Sequence, residues 1–159
     1  MESPKPKAPK IEALIVVRTK IIDPSTGRFL LCKRAKTGEW ELPGGKIDPL
    51  ESLDAAAHRE IGEETNAVIN LTSPFRIYER IILGPKPGKE HLEGRLRIGH
   101  LATAELVCDP AVLQPNPDEV ADMKWHCPGQ PLNLPLRREM PNILAVAARL
   151  ELQQIALAA

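Results

Sequence analysis

The stretch Arg59-Glu60-Ile61-Gly62-Glu63-Glu64 constrains this chain more than any other. It closes a segment, 51–64, with helix-forming content, Ala55-Ala56-Ala57 at its middle and no internal proline. At roughly 100° per residue, Glu60, Glu63 and Glu64 fall within about one third of a helix circumference, so three carboxylates share one patch. Like charges at that spacing destabilise a bare helix, and a helix C-terminus already disfavours anions. A cation relieves both penalties, and hard oxygen ligands select Mg²⁺, Mn²⁺ or Ca²⁺. On spacing alone the patch has two readings, a solvated acidic face or a cation site.

The neighbouring residues favour the second reading. Leu53, Ala57 and Ile61 recur at i, i+4 and i+8, an apolar stripe that can pack the helix on a sheet. Pro43-Gly44-Gly45, just upstream, permits close backbone approach and unusual torsions beside a bound group. Asn66 stands where the helix would end and tolerates the left-handed conformation common there. Glu51 and Arg59 are two turns apart and can pair only if Glu51 lies in a loop that folds back.

The rest of the chain reads as one domain of 159 residues. Residues 11–22, rich in Ile and Val, predict a strand; Asp23-Pro24-Ser25-Thr26-Gly27 predicts a turn, and Phe29–Cys32 the returning strand of a hairpin. Further strands are predicted over 67–71, 76–83, 96–108 and 120–125. A closing helix is expected over 142–159, with Ile143, Ala147, Leu150 and Ile155 on or near one face. Strands before and after a central helix, with a closing helix, indicate a mixed α/β layered domain. Residues 1–9, Lys- and Pro-rich, read as a flexible tail ahead of a domain spanning 10–159.

Composition excludes several functions. Lys plus Arg and Asp plus Glu are each 21, and aromatics are 3%, so the chain has neither the basic excess nor the stacking platforms of a nucleic-acid binder. Cys32, Cys108 and Cys127 form no CxxC pair, which argues against a zinc site or disulfide framework. No apolar run reaches the ~18 residues of a membrane span, and no signal peptide is evident. A cytoplasmic protein, monomeric or homodimeric, is the expectation.

From Gly45 to Ala67 the sequence resembles the Nudix box, the signature of MutT-like hydrolases of nucleoside-diphosphate-linked compounds. Gly45, Glu51, Arg59, Glu60, Ile61, Glu63 and Glu64 stand in register with it, and Trp40-Glu41-Leu42-Pro43-Gly44 resembles the family's approach to the box. Two positions depart: Asn66 replaces a glycine, and Ala67 a larger aliphatic residue. The resemblance implies a Nudix-type α/β/α sandwich with a mixed central sheet. It implies Mg²⁺-dependent hydrolysis of a diphosphate linkage in a small nucleotide, with Mn²⁺ as the alternative ion.

By the same resemblance Glu60, Glu63 and Glu64 hold the metal, helped by the Gly44 carbonyl. Glu60 is the first choice as base within the box, and Arg59 and Glu51 orient the ligands. Arg34, Gly45 and Lys46 are candidates for substrate contact, though Arg34 and Lys46 read equally as solvated cations. Glu119 is either a further ligand or base, or a turn acid. Trp125 is either a base-stacking surface or a core residue. The favoured substrate is a nucleoside triphosphate, with ADP-ribose or another nucleotide sugar and dinucleoside polyphosphates as alternatives. A non-catalytic nucleotide-sensing module is the competing class.

Overall fold

The computed structural model describes residues 12–159; the expected tail at 1–9 lies outside them. In chain order the elements are β1 (Ala13–Ile22), β2 (Phe29–Arg34), β3 (Trp40–Glu41), α1 (Leu53–Thr65), β4 (Ile69–Leu71), β5 (Arg76–Ile82), β6 (Leu96–Leu106), β7 (Val120–His126) and α2 (Met140–Ala158). One mixed seven-stranded sheet contains all the strands.

The expected β1–β2 hairpin forms only at its base, where Ile22 pairs with Phe29. Above that point β1 runs parallel to β6, from Ala13 opposite Leu96 to Ile22 opposite Glu105. β2 pairs instead with β3 and β7. The reason lies in β1 itself: Val16–Ile21 are buried without interruption, as suits a strand covered on both faces rather than a solvated hairpin arm. The space beside β1 that β2 leaves is taken by the glycine turn. Val17 N–H donates to Gly45 O (2.9 Å), Thr19 N–H to Pro43 O (3.0 Å) and Ile47 N–H to Ile15 O (3.1 Å). The turn is thereby fixed to the middle of the sheet.

Each face of the sheet carries one helix and one core. Ile61 of α1 packs with Ile21, Leu30, Cys32, Ala104 and Val120. On the opposite face Met140, Ile143 and Ala147 of α2 pack with Phe29, Leu31, Leu42 and Leu101. The alternation of Phe29 and Leu31 with Leu30 and Cys32 is the period-two pattern of a strand buried on both sides. This is the expected α/β/α sandwich with a mixed central sheet.

α1 has defined ends. Ser52 Oγ accepts from Ala55 N–H (3.1 Å), satisfying one free donor of the first turn. Asn66 takes φ 58° and ψ 17° and donates its N–H to Gly62 O, so it closes the helix in the left-handed state expected of it. α2 begins at Met140, two residues before the expected start, with Pro141 in the first turn where its missing N–H costs nothing. Ile143, Ala147 and Leu150 are buried, but Ile155 is 68% exposed. About 120° separates Ile155 from Ile143 around the helix, so it belongs to a different face.

Ile61, fully buried, is the main anchor of α1 on the sheet. Ile61→Ala is expected to cost roughly 2–5 kcal/mol and Ile61→Val about 0.5–1.5 kcal/mol in urea unfolding. A cost below about 1 kcal/mol for the alanine variant would show that the helix is not held there.

Candidate active site

Two carboxylates of α1 meet a third from a distant loop. One oxygen each of Glu60, Glu64 and Glu119 lie within 4.8 Å of one another. Glu119 arrives because the last turn of a helix leaves carbonyls without partners. The 114–119 segment supplies the donors: Gln114 N–H bonds Thr65 O and Asn116 N–H bonds Glu64 O, both at 2.9 Å. Ala35 N–H then holds the Glu119 carbonyl at 2.9 Å. The cap of α1 is thus also the device that brings in the third acid.

Glu64 is buried, and its Oε2 accepts from Gly44 N–H at 2.9 Å. Gly44 sits at φ +133°, and a Cβ there would overlap the Val17 carbonyl, so no other residue fits the position. A Cβ at Gly45 would overlap the Glu60 carboxylate. Burial pushes the Glu64 carboxyl up to about 7, with Glu41 and Glu60 adding to the rise and Arg18 and the Gly44 N–H opposing it. Burial also raises Glu60, against the pull of Arg59. Hard oxygen donors that are desolvated and mutually repelling fit a divalent cation such as Mg²⁺ or Mn²⁺.

Arg59 braces this cluster. Its Nε and Nη2 each bond a different oxygen of Glu51 at 2.8 Å, its Nη2 also bonds the Lys46 carbonyl at 3.0 Å, and its Nη1 reaches Glu60 at 2.9 Å. Glu51 lies in the loop and folds back, the one geometry in which the pair could form. The Arg59 bonds, and then the Asp48 N–H, lower the Glu51 carboxyl to about 2.

Three expected site residues are placed differently. Glu63 is exposed and pairs with Arg59 at 3.2 Å, outside the three-acid cluster. Around the helix Glu64 lies about 40° to one side of Glu60 and Glu63 about 60° to the other, so Glu63 follows Arg59 toward solvent. The Gly44 carbonyl, expected as a ligand, accepts from the Arg18 guanidinium. Trp125 does not line the cleft; it packs half-buried against the core beneath α1.

A cleft of about 580 Å³ opens beside the acids. Arg34, Gly45, Lys46 and Glu119 line it as expected, and Arg34 and Glu119 also line a smaller adjoining cavity. The sequence reading missed the buried base of this cleft. Glu41 binds Arg18 at 2.9 Å, Arg34 at 2.8 Å and Arg137 at 3.0 Å. Burial works against the Arg18 charge, but Glu41 and other nearby anions outweigh it and raise its pKa. One signal was available: Arg18 is a cation inside a Val- and Ile-rich strand, and a buried charge needs a partner.

The family model described as "NUDIX domain" matches residues 14–146. A protein of Bacillus subtilis (strain 168) described as a putative 8-oxo-dGTP diphosphatase is 36% identical over 103 residues, which are 65% of this chain and 60% of that protein. The chain therefore spans less than two thirds of that relative. The crystal structure of a MutT protein from Methanosarcina mazei Go1 superposes with TM-score 0.63 at 22% identity, covering 89% of this chain and 97% of that one. A bifunctional NMN adenylyltransferase/ADP ribose pyrophosphatase from Francisella tularensis, complexed with AMP and a Mn ion, superposes with TM-score 0.62 at 23% identity, over 90% of this chain and 43% of that one. With the box in register, the α/β/α sandwich built around it and a family model matching most of its length, the chain belongs to the NUDIX domain family.

Proposed function

We propose that this protein hydrolyses a diphosphate linkage in a small nucleotide with the help of Mg²⁺ or Mn²⁺, a nucleoside triphosphate being the favoured substrate. The observation that carries the reading is the convergence of Glu60, Glu64 and Glu119 in one cleft, with both helical acids desolvated. Relatives described as acting on 8-oxo-dGTP and on ADP-ribose support the reaction class. A divalent ion bound by these oxygens would supply charge neutralisation at the phosphoryl group and a lowered pKa for water.

The chain's own residues do the rest. Gly44 N–H and the burial of α1 fix Glu64, while Arg59 and Glu51 fix Glu60. Glu60 is the proposed base, because it faces the cleft beside Glu64 and Glu119 with its orientation fixed by Arg59. It takes the proton of the attacking water as the water oxygen bonds to phosphorus and the bridging P–O bond breaks. Glu63 supports the cluster through Arg59. Arg34 and Lys46, which line the cleft, are the proposed contacts to phosphate oxygens. Among the described residues no helix is long and apolar enough to cross a membrane.

Product release from a panel of nucleotides with Mg²⁺ should stop on chelation. Glu60→Gln and Glu64→Gln should each lose roughly 100-fold or more in kcat/KM, and Glu63→Gln distinctly less. Unchanged turnover after chelation would overturn the metal-dependent reading. Nucleotide binding without turnover across the whole panel would favour a sensor.

Glu64 also makes a stability prediction for the metal-free protein. A carboxyl whose folded pKa is raised contributes stability below its unfolded pKa of about 4.5, and that contribution is lost as pH rises through about 7. Glu64→Gln should therefore stabilise the metal-free fold at pH 8, by on the order of 3 kcal/mol, relative to its effect at pH 4. Urea unfolding at both pH values checks this; an equal effect at the two would contradict it.

A further inference from the structure

The cleft that takes in Glu60, Glu64 and Glu119 also takes in Lys46, Lys86 and Lys89. Lys86 and Lys89 come from the 83–95 connection between β5 and β6, whose shape is set by its own backbone. Leu83 N–H bonds Arg95 O at 2.9 Å, Gly94 N–H bonds Leu83 O at 2.8 Å, and Lys89 N–H bonds Lys86 O at 2.9 Å. Glu90, the acid nearest in sequence, accepts from Gly88 N–H at 2.9 Å.

Seven Lys and Arg side chains and three Glu side chains line this cleft, in a chain whose net charge is zero. The four arginines among them are matched by Glu41, Glu79 and Glu139. Among the described residues, Lys46, Lys86 and Lys89 form no ion pair. Partial desolvation, then the charges of Lys86, Lys46, Arg34 and Lys36, hold the Lys89 ammonium below the usual lysine range. Repelling cations on an ordered connection favour a polyanion between them. No aromatic side chain of the described residues lines the cleft, so base stacking is not the main source of affinity there.

We propose that Lys46, Lys86 and Lys89 receive phosphates beyond the two of the scissile linkage, which makes the preferred substrate an ester with three or more consecutive phosphates rather than a diphosphate-linked sugar. The inference rests on the hydrolase reading above and assigns Lys86 and Lys89 as specificity-determining residues. A nucleoside triphosphate carries about two more negative charges near pH 7 than a dinucleotide-type diphosphate, and a divalent ion shared by both substrates does not offset that difference. Three lysines do.

The test compares wild type with the Lys86→Gln/Lys89→Gln double variant and its Lys86→Arg/Lys89→Arg counterpart. Substrates are dGTP, diadenosine tetraphosphate and ADP-ribose with Mg²⁺. The wild type should favour the first two, and the arms distinguish a mononucleotide from a dinucleotide source of the phosphate chain. The glutamine variant should raise KM for the preferred polyphosphate about 10- to 100-fold, the scale of lost charge-assisted bonds, with kcat much less affected. The shift on ADP-ribose should be at least several-fold smaller, and arginine should restore most of the loss. A wild type that prefers ADP-ribose, or a loss equal on all substrates, would overturn the proposal. If nothing in the panel is turned over, the hydrolase reading fails first. Calorimetry with inorganic tripolyphosphate and pyrophosphate then decides the phosphate receptor alone. Tighter tripolyphosphate binding that the glutamine variant abolishes supports it, and equal binding of the two anions overturns it.

Discussion

Glu64 is a carboxylate placed almost out of water, held by the N–H of a glycine that only glycine can occupy. That single contact joins α1 to the turn running along β1, and so ties the acidic helix to the centre of the sheet. Its energetics are unfavourable without help, because burial disfavours the ionised form and Glu60 and Glu41 repel it. The surrounding structure sustains that condition. Ile61 and Ala57 clamp the helix, Arg59 restrains Glu60, and the helix cap delivers Glu119 rather than a neutralising cation. A fold stabilised for its own sake would place an apolar side chain at Glu64.

Beneath the acids lies a second system of charge, in which every arginine has a carboxylate partner. Glu41 gathers Arg18, Arg34 and Arg137, and Glu139 at the head of α2 gathers Arg97 and Arg137. These pairs link β1, β2, β3 and β6 to the start of α2 and form part of the floor of the cleft. Removing one partner of such a pair strands a buried charge, which is more costly than the pair is stabilising. Every arginine of the floor is therefore held by a carboxylate, while the acids and the lysines that line the cleft carry opposite charge. The acids are the proposed cation site and the lysines the proposed polyanion site of one cleft.

Much of this was legible in the residues. Helix spacing gave α1 its acidic patch and its anchored stripe, and Asn66 marked its end. Glu51 was identified as a partner for Arg59 on the condition that it left the helix, and it does. What spacing alone could not decide was which acids face inward. Glu60 and Glu64 do, but Glu63, on the Arg59 side of Glu60, pairs with Arg59 across one turn; spacing puts Glu63 and Glu64 on opposite sides of Glu60 without saying which side meets the sheet. Glu119 joins through backbone bonds to the end of α1, a contact between segments about 50 residues apart that no local pattern encodes. The hairpin reading of β1 and β2 held only at its base, for the same reason. Adjacent strands with a turn between them usually pair, yet here β1, buried on both faces, finds a parallel partner in β6. Trp125 was open between base stacking and core, and its packing under α1 places it in the core.

The central claim is that desolvated Glu60 and Glu64 form a divalent-cation site. Equilibrium titration of the purified protein with Mn²⁺, followed by the paramagnetic signal of free ion, tests it without any substrate. Saturable binding that weakens by about 100-fold or more in the Glu60→Gln/Glu64→Gln double variant is the expected result. Equal Mn²⁺ affinity in wild type and variant, with the fold intact in both, would contradict it.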